Sequence, residues 1–281
     1  MINIDNLTFK YLDHEIFKNL SLSLQDSRRY IITGLNGTGK STILKIISGK
    51  TLCPYETISV LGCDPFRNTS SNINIAYLNN DWGTKTVAFT GYNMLIQSDI
   101  KVKDMMVNLK LKHPERNDEL IDVLSINPEW NMNTISDGQR KRVQLYLGLI
   151  QPFKICLLDE ITTNLDILIK HKFMMYLKKE SIENKATILY VTHIFDGLDN
   201  WCTDIIYIKK NKNLEIINYT NLVNENKNKQ DNLYNILLKK FILEDNDNYK
   251  DYENINVKSK YSKNAGGYTP GVLIDYKLDK K

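Results

Sequence analysis

No stretch of the 281 residues comes near the roughly 18 consecutive apolar residues that a membrane-spanning helix needs. If the chain serves a membrane transporter, a different chain must do the crossing. The opening MINIDNLTFK has neither the basic start nor the apolar core of a secretory signal, so the cytoplasm is the expected compartment, with the nucleus also open. Cysteine is sparse. Cys53, Cys63, Cys156 and Cys202 show no paired metal-ligand spacing and no small-domain disulfide framework. Cys156 sits in an apolar run, where a thiol acts as a small hydrophobe. Charge of one sign is scarce too. The net charge is +4, and residues 209–281, with fourteen Lys against ten acidic residues, hold all of that excess. Residues 1–208 balance at 23 basic and 23 acidic. That argues against a broad nucleic-acid face on the body, a local groove excepted. There is no internal repeat, and His14, His113 and His171 are scattered without ligand spacing.

What is present is enough apolar residue, 42%, for one sizeable core or a core plus a small appendage. Residues 2–10 and 16–24 alternate apolar and polar, with Leu20, Leu22 and Leu24 on one face, and read as two antiparallel strands. Arg29–Thr33 is a short buried strand, and the STILKIIS that follows its glycine-rich loop has helical spacing. Further strands are expected at 58–61, 73–78, 154–158 and 186–191, and helices at 101–125, 136–150 and about 166–180. Buried strands alternating with helices imply an α/β fold with a parallel sheet, to which the N-terminal pair adds an antiparallel layer. Beyond about residue 221 the composition turns to Asn, Lys, Asp and Tyr. One amphipathic helix is expected within 221–243, then a polar tail over 244–281 with solvated linker character to about 264. The closing GGYTPGVLID regains turn formers and apolar residues.

Chemistry concentrates in two places. Gly34-Leu35-Asn36-Gly37-Thr38-Gly39-Lys40-Ser41 fits G-x-x-x-x-G-K-[ST] between a strand and a helix, the context that makes this phosphate-binding motif credible. The glycines let successive N–H groups face phosphate oxygens, and the helix adds the positive end of its dipole. Lys40 is expected on the β- and γ-phosphates of ATP, Ser41 on Mg²⁺, and Thr42 as an additional hydroxyl. The second place is Ile155–Glu160, an apolar strand ending in two carboxylates. Asp159 is expected to hold the metal through water, and Glu160 to polarise the attacking water as general base.

Between them, Ile135-Ser136-Asp137-Gly138-Gln139-Arg140 resembles the LSGGQ signature of ATP-binding-cassette ATPases, followed by a helix and then the Asp–Glu strand. Further resemblances fall in around it. Tyr11 resembles the aromatic that stacks on adenine, Thr163-Asn164-Leu165-Asp166 the D-loop, and His193 the switch histidine that senses the γ-phosphate. The runs SDGQRKRVQLYLGLIQPFKICLLDE and LYVTHIFDGLDNW, with Tyr77-Leu78 and Trp82, are similar to stand-alone eukaryotic cassette ATPases. These are the fungal proteins linked to the Ccr–Not complex and the plant soluble class I proteins. The resemblance spans residues 2–220 and implies a P-loop NTPase fold of the cassette type, a mixed sheet with an antiparallel N-terminal layer and a helical signature subdomain at about 82–150. It implies MgATP hydrolysis by a head-to-tail homodimer, each site completed in trans by Ser136, Asp137, Gly138 and Gln139. The output would go to a protein partner, of the Ccr–Not type where the subfamily holds, in transcription or mRNA regulation.

Three departures from the general cassette pattern stand out. Asp137 replaces the first signature glycine, as in this subfamily; its carboxylate is expected to turn away from phosphate and cap the helix. Asn79, Asn80 and Asp81 stand where the Q-loop glutamine would follow the strand, which puts coupling to a membrane subunit in doubt. Thr163-Asn164 replaces the usual Ser-Ala. The ATPase subunit of a two-component transporter and a non-hydrolysing ATP-gated scaffold remain as alternatives; the missing glutamine argues against the first, and retention of Lys40, Asp159, Glu160 and His193 against the second. Trp82, Trp130 and Trp201 read as core or subfamily contacts rather than base-stacking platforms. Arg140-Lys141-Arg142 at the signature helix could form a basic patch, or pair with a partner subunit or phosphate.

Overall fold

The structure, a computed structural model, describes residues 2–80, 86–89, 92–95, 100–225 and 232–244. Asp81, Trp82 and, Glu244 apart, the expected tail over 244–281 lie outside the described residues. The chain divides into two units, 1–244 and 245–281, and every described element belongs to the first.

The alternating N-terminal segments form β1 (Ile2–Tyr11) and β2 (His14–Leu24), antiparallel, with β4 (Ile58–Val60) on the other side of β1. The central sheet has six strands in the order β11-β10-β3-β9-β8-β5. These are β3 (Arg29–Gly34), β5 (Ile75–Leu78), β8 (Ile155–Asp159), β9 (Thr187–Val191), β10 (Asp204–Ile208) and β11 (Leu214–Asn218). All pairings are parallel except that of β11 on β10. A short hairpin, β6 (Thr86–Phe89) with β7 (Tyr92–Leu95), stands apart from both sheets.

The central strands read as continuous apolar runs because both faces are covered. Along β8, Ile155 and Leu157 join a core with α1 (Lys40–Ile47) and the N-terminal sheet, whereas Cys156 and Leu158 enter a second core on the opposite face. In β9, Leu189 and Val191 divide from Ile188 and Tyr190 in the same way. That second core is closed by α3 (Pro114–Leu124), α4 (Asp137–Leu149), α5 (Ile167–Glu183) and α7 (Leu233–Glu244), with residues of α2 (Val102–Lys112) and α6 (Tyr219–Glu225). Trp130 packs against it half-buried. Trp201 is buried inside it, edge-on to Tyr190, its indole N–H donating to Met174 O at 2.8 Å.

The helical stretch expected over 101–125 breaks at His113, whose non-helical backbone (φ −138°, ψ 65°) precedes Pro114 at the first position of α3. Proline disfavours helical geometry in the residue before it and suits the first helical position, so one helix becomes two. The strand expected at 73–78 begins only at Ile75, because Thr69–Asn74 forms a 3₁₀ turn capped by Asn68, whose Oδ1 accepts from Ser70 N at 3.2 Å. The strands β10 and β11 have no counterpart in the sequence reading.

One ion pair ties α3 to α5 inside this core. Arg116 Nη1 donates to Glu180 Oε1 at 2.7 Å and Arg116 Nε to Leu149 O at 2.7 Å, while the guanidinium lies over the rings of Phe153 and Tyr176. The Glu180 side chain is 3% exposed, so removing its partner strands a carboxylate away from water. Arg116→Ala should therefore lower unfolding free energy by about 3 kcal/mol, several times the effect of an exposed pair. A urea midpoint within error of wild type would contradict this.

Candidate functional site

The carboxyl ends of three neighbouring strands, β3, β9 and β8, open on one edge of the sheet, the usual place for a ligand crevice in a parallel α/β fold. At the end of β3 the chain enters the glycine loop. A Cβ on Gly34 would sit 2.3 Å from Ile208 O, so no side chain fits there. Gly39 lies in the left-handed region at φ 99°, and a Cβ would meet the Phe17 ring at 2.7 Å. Only glycine takes that conformation without cost. Gly39 is also the N-cap of α1, with no side-chain cap and no acid in the first turn, so the positive end of the helix is left uncompensated.

Lys40 folds back over this loop. Its Nζ donates to Gly34 O and Leu35 O, both at 3.0 Å, and the side chain is buried. Burial pulls its pKa below the ordinary lysine value, and the Glu160 and Asp159 carboxylates oppose the shift. Thr38 closes the turn on Leu35 O through its hydroxyl at 2.9 Å. Leu35 is half-buried, Asn36 and Gly37 are exposed, and Thr42 lies half-buried in the first turn of α1.

Ser41 Oγ donates to Asp159 Oδ1 at 3.2 Å, which joins the two motifs across 118 residues of sequence. The next residue, Glu160, adopts φ 52°, the left-handed region that a non-glycine residue enters at a cost. Its N–H donates to Val191 O at 3.0 Å, binding the end of β8 to the end of β9. His193, two residues past β9, brings Nε2 to 3.5 Å from Glu160 Oε1. Burial, then the charge of Lys40, lowers the His193 pKa, with Glu160 opposing. The imidazole is therefore neutral at pH 7 and meets the glutamate as a dipole rather than an ion.

The remaining predicted residues are placed elsewhere. Tyr11 ends β1, 44% exposed and edge-on to Phe9, and opens onto a cleft of about 720 Å³ shared with Lys45, Lys50 and Tyr77. Ser136 is the N-cap of α4 in a capping box: Ser136 Oγ accepts from Gln139 N at 3.3 Å, and Gln139 Oε1 accepts from Ser136 N at 2.9 Å. The expectation that Asp137 caps this helix is thus wrong. Ser136 already holds the cap, and Asp137 is the exposed first residue of the helix, where its charge still suits the dipole. Gly138 presses on the D-loop; a Cβ there would meet Asn164 O at 2.9 Å. Asp166 caps α5 through Ile169 N at 3.0 Å and pairs with Arg142 at 2.8 Å. Among the described residues, no hydrogen bond joins Ser136–Gln139 to loop 34–41.

Two residues that the sequence did not place at this site are linked to it, Asn80 directly and Lys141 through Asn80. Asn80 Nδ2 donates to Glu160 O at 3.2 Å, and Lys141 Nζ donates to Asn80 Oδ1 at 2.8 Å. The signal available was that an amide stands where the Q-loop amide was missed.

The site fits a nucleotide with its metal on chemical grounds. An uncapped helix end and a lysine offer positive charge to phosphate, and a hydroxyl beside a carboxylate offers the hard oxygen donors that Mg²⁺ takes together with substrate phosphates. No cluster of three or more His, Cys, Asp or Glu suited to a metal occurs among the described residues, and none is needed for such a shared ion.

Comparison with known proteins agrees. A family model described as "ABC transporter" matches residues 17–163. ABC transporter I family member 20 of Arabidopsis thaliana is 43% identical over 199 residues, covering 70% of this chain and 60% of that protein. CCR4-associated factor 16 of Saccharomyces cerevisiae is 34% identical over 227 residues, 78% of each chain. Among solved structures, a dimeric ATP-binding cassette in a post-hydrolysis state with ADP and phosphate shares the fold. Its TM-score is 0.62 at 21% identity, over 78% of this chain and 99% of that one. No helix of the described residues is long and apolar enough to cross a membrane. The chain belongs to the ABC transporter family and carries its ATP-binding cassette.

Proposed function

We propose that this chain binds MgATP on residues 34–42 and hydrolyses it with Glu160, as a head-to-tail dimer whose sites are each completed by Ser136–Gln139 of the second copy. The observation that carries the reading is the convergence of Lys40, the Ser41–Asp159 pair and the Glu160–His193 pair at the ends of three adjacent strands. Lys40 leaves the Gly34 and Leu35 carbonyls for the β- and γ-phosphate oxygens, to which it is the stronger donor when charged. Ser41 and Asp159 would hold Mg²⁺, and the ion would supply charge neutralisation on the phosphates. Glu160 polarises a water toward the γ-phosphorus, and His193, neutral and facing the same spot, donates to the γ-phosphate. Tyr11, exposed at the end of β1, stacks on adenine.

The dimer is supported by the placement of the signature residues: Ser136 and Gln139 satisfy each other in a capping box, and among the described residues none of Ser136–Gln139 bonds to loop 34–41 of its own chain. A dimeric relative in fold points the same way. The output of the cycle is read by a protein partner. The name of the yeast relative, CCR4-associated factor, supports a partner of the Ccr–Not type and a cytoplasmic or nuclear setting.

Association driven by nucleotide tests this reading. With a non-hydrolysable ATP analogue and Mg²⁺, the mass by light scattering should double, and it should return to the monomer value when EDTA removes the ion. A mass that stays at one chain at saturating analogue would remove the dimer from the mechanism.

A further inference from the structure

The basic run Arg140-Lys141-Arg142 does not form a free patch; each cation is engaged inside the chain. Arg140 donates to Met132 O at 3.3 Å, and Arg142 pairs with Asp166 at 2.8 Å. Lys141 is buried, with Nζ donating to Asn80 Oδ1 at 2.8 Å and to Gln144 Oε1 at 3.0 Å. Gln144 in turn donates through Nε2 to the backbone Asn79 O at 2.7 Å, so both asparagines after β5 are tied to α4, Asn79 by its main chain and Asn80 by its side chain.

Asn80 both donates and accepts at its position, which a side-chain amide can do. An ammonium can only donate and a carbonyl can only accept, so the group between Lys141 and Glu160 O must offer one acceptor and one donor. A carboxylate would satisfy the lysine but turn an oxygen against the Glu160 carbonyl. The Glu160 backbone needs such restraint, because its left-handed φ of 52° persists only where the surroundings over-determine it. Val191 O fixes its N–H, while Asn80 Nδ2 and Thr163 Oγ1 (3.4 Å) converge on its carbonyl. The far end of the same loop is held against α4 as well, by Arg142 on Asp166 and by the close approach of Gly138 to Asn164 O.

We propose that Asn80 and Lys141 are positioning residues that couple the signature helix to Glu160 of the same chain, so that engagement of that helix at one nucleotide sets the glutamate serving the other. This rests on the paired-site reading above. Lys141 follows Ser136 by little more than one turn of a single rigid helix, and two hydrogen bonds carry its position to the Glu160 backbone. A helix seated on the partner's nucleotide and a helix released from it would thus present two placements of the carboxylate. The replacement of the Q-loop glutamine by asparagine leaves a shorter amide that reaches the Glu160 backbone and Lys141.

The test uses the full chain as Asn80→Ala, Lys141→Met, the double variant and Lys141→Arg. Steady-state ATPase assays would be paired with hydrogen exchange of the amides at 160–166 without nucleotide. Either single change should lower kcat about tenfold with KM within about twofold, since misplacement of a catalytic group acts on the chemical step. The Hill coefficient for ATP should fall toward about 1 as the two sites decouple. The double variant should be no worse than either single one, the mark of one shared interaction, and Lys141→Arg, which keeps a donor, should retain most of kcat. Exchange at 160–166 should quicken in Lys141→Met. A folded Lys141→Met chain with wild-type kcat and Hill coefficient would overturn the proposal, as would losses that multiply in the double variant. A wild type without ATPase activity would overturn the earlier reading of the site. The exchange data then decide the tie by themselves: unchanged protection at 160–166 refutes it, faster exchange upholds it.

Discussion

A Lys40→Ala chain is expected to lose MgATP affinity by about 100-fold or more while its urea midpoint stays close to wild type. The two halves of that expectation come from the same geometry. Without nucleotide, Lys40 makes two hydrogen bonds to the backbone carbonyls of buried Gly34 and half-buried Leu35, and the cost of burying its charge offsets much of what they contribute. Removing it trades those bonds for water on Gly34 and Leu35 and relieves a partly desolvated ammonium, so little stability is at stake. With nucleotide, the same cation would face a polyanion in a crevice, where both partners of each hydrogen bond are charged, and nothing else in loop 34–41 carries a charge. Calorimetric titration beside an unfolding curve reads both. Near wild-type affinity in a folded Lys40→Ala chain would sink the assignment of the phosphate loop.

The phosphate loop and the paired carboxylates were legible in the sequence because each is contiguous: five or six residues of an apolar strand followed at once by the functional group. Local spacing carries that information, and the structure adds the Ser41–Asp159 contact that joins the pieces. The antiparallel layer was legible for a similar reason, since a strand buried on one face alternates. What escaped was of two kinds. β10 (DIIYI) is a short run buried on both faces, which periodicity cannot separate from a helix segment, and β11 is a half-buried edge strand of ordinary composition. The Asn80–Lys141 tie escaped because it joins side chains 61 residues apart, and nothing along the chain marks a lysine as buried. The basic run looked like a surface feature for the same reason. Only the packing of α4 against the end of β5 shows that Lys141 and Gln144 point inward. Asp137 illustrates a third limit. Capping by an aspartate was a fair expectation from residue preference, but Ser136 and Gln139 form a reciprocal box one position earlier, and that pair wins.

Glu160→Gln should slow hydrolysis about 1000-fold while leaving MgATP bound, and the stalled chains should accumulate as a dimer. The amide keeps the size of the side chain and leaves the Glu160 backbone contacts to Val191 and Asn80 untouched, so the loss falls on proton handling rather than on binding. Adding Ser136→Arg then separates the two chains. The change removes a cap contributing about 1 kcal/mol to α4, too little to unfold it, but places a bulky cation where the partner's γ-phosphate must fit. The double variant should be monomeric by light scattering and still bind MgATP. Complementation makes the stronger test. Ser136→Arg and Lys40→Ala chains should each be inactive alone, and mixing them should restore activity. In the mixed pair one site keeps an intact phosphate loop facing an intact signature, and the other site collects both defects. Activity in the mixture cannot arise from two independent cassettes, because each chain lacks one half of what a site needs. A Glu160→Gln chain that stays monomeric at saturating ATP, or a mixture that forms heterodimers and remains inactive, would overturn the shared-site mechanism.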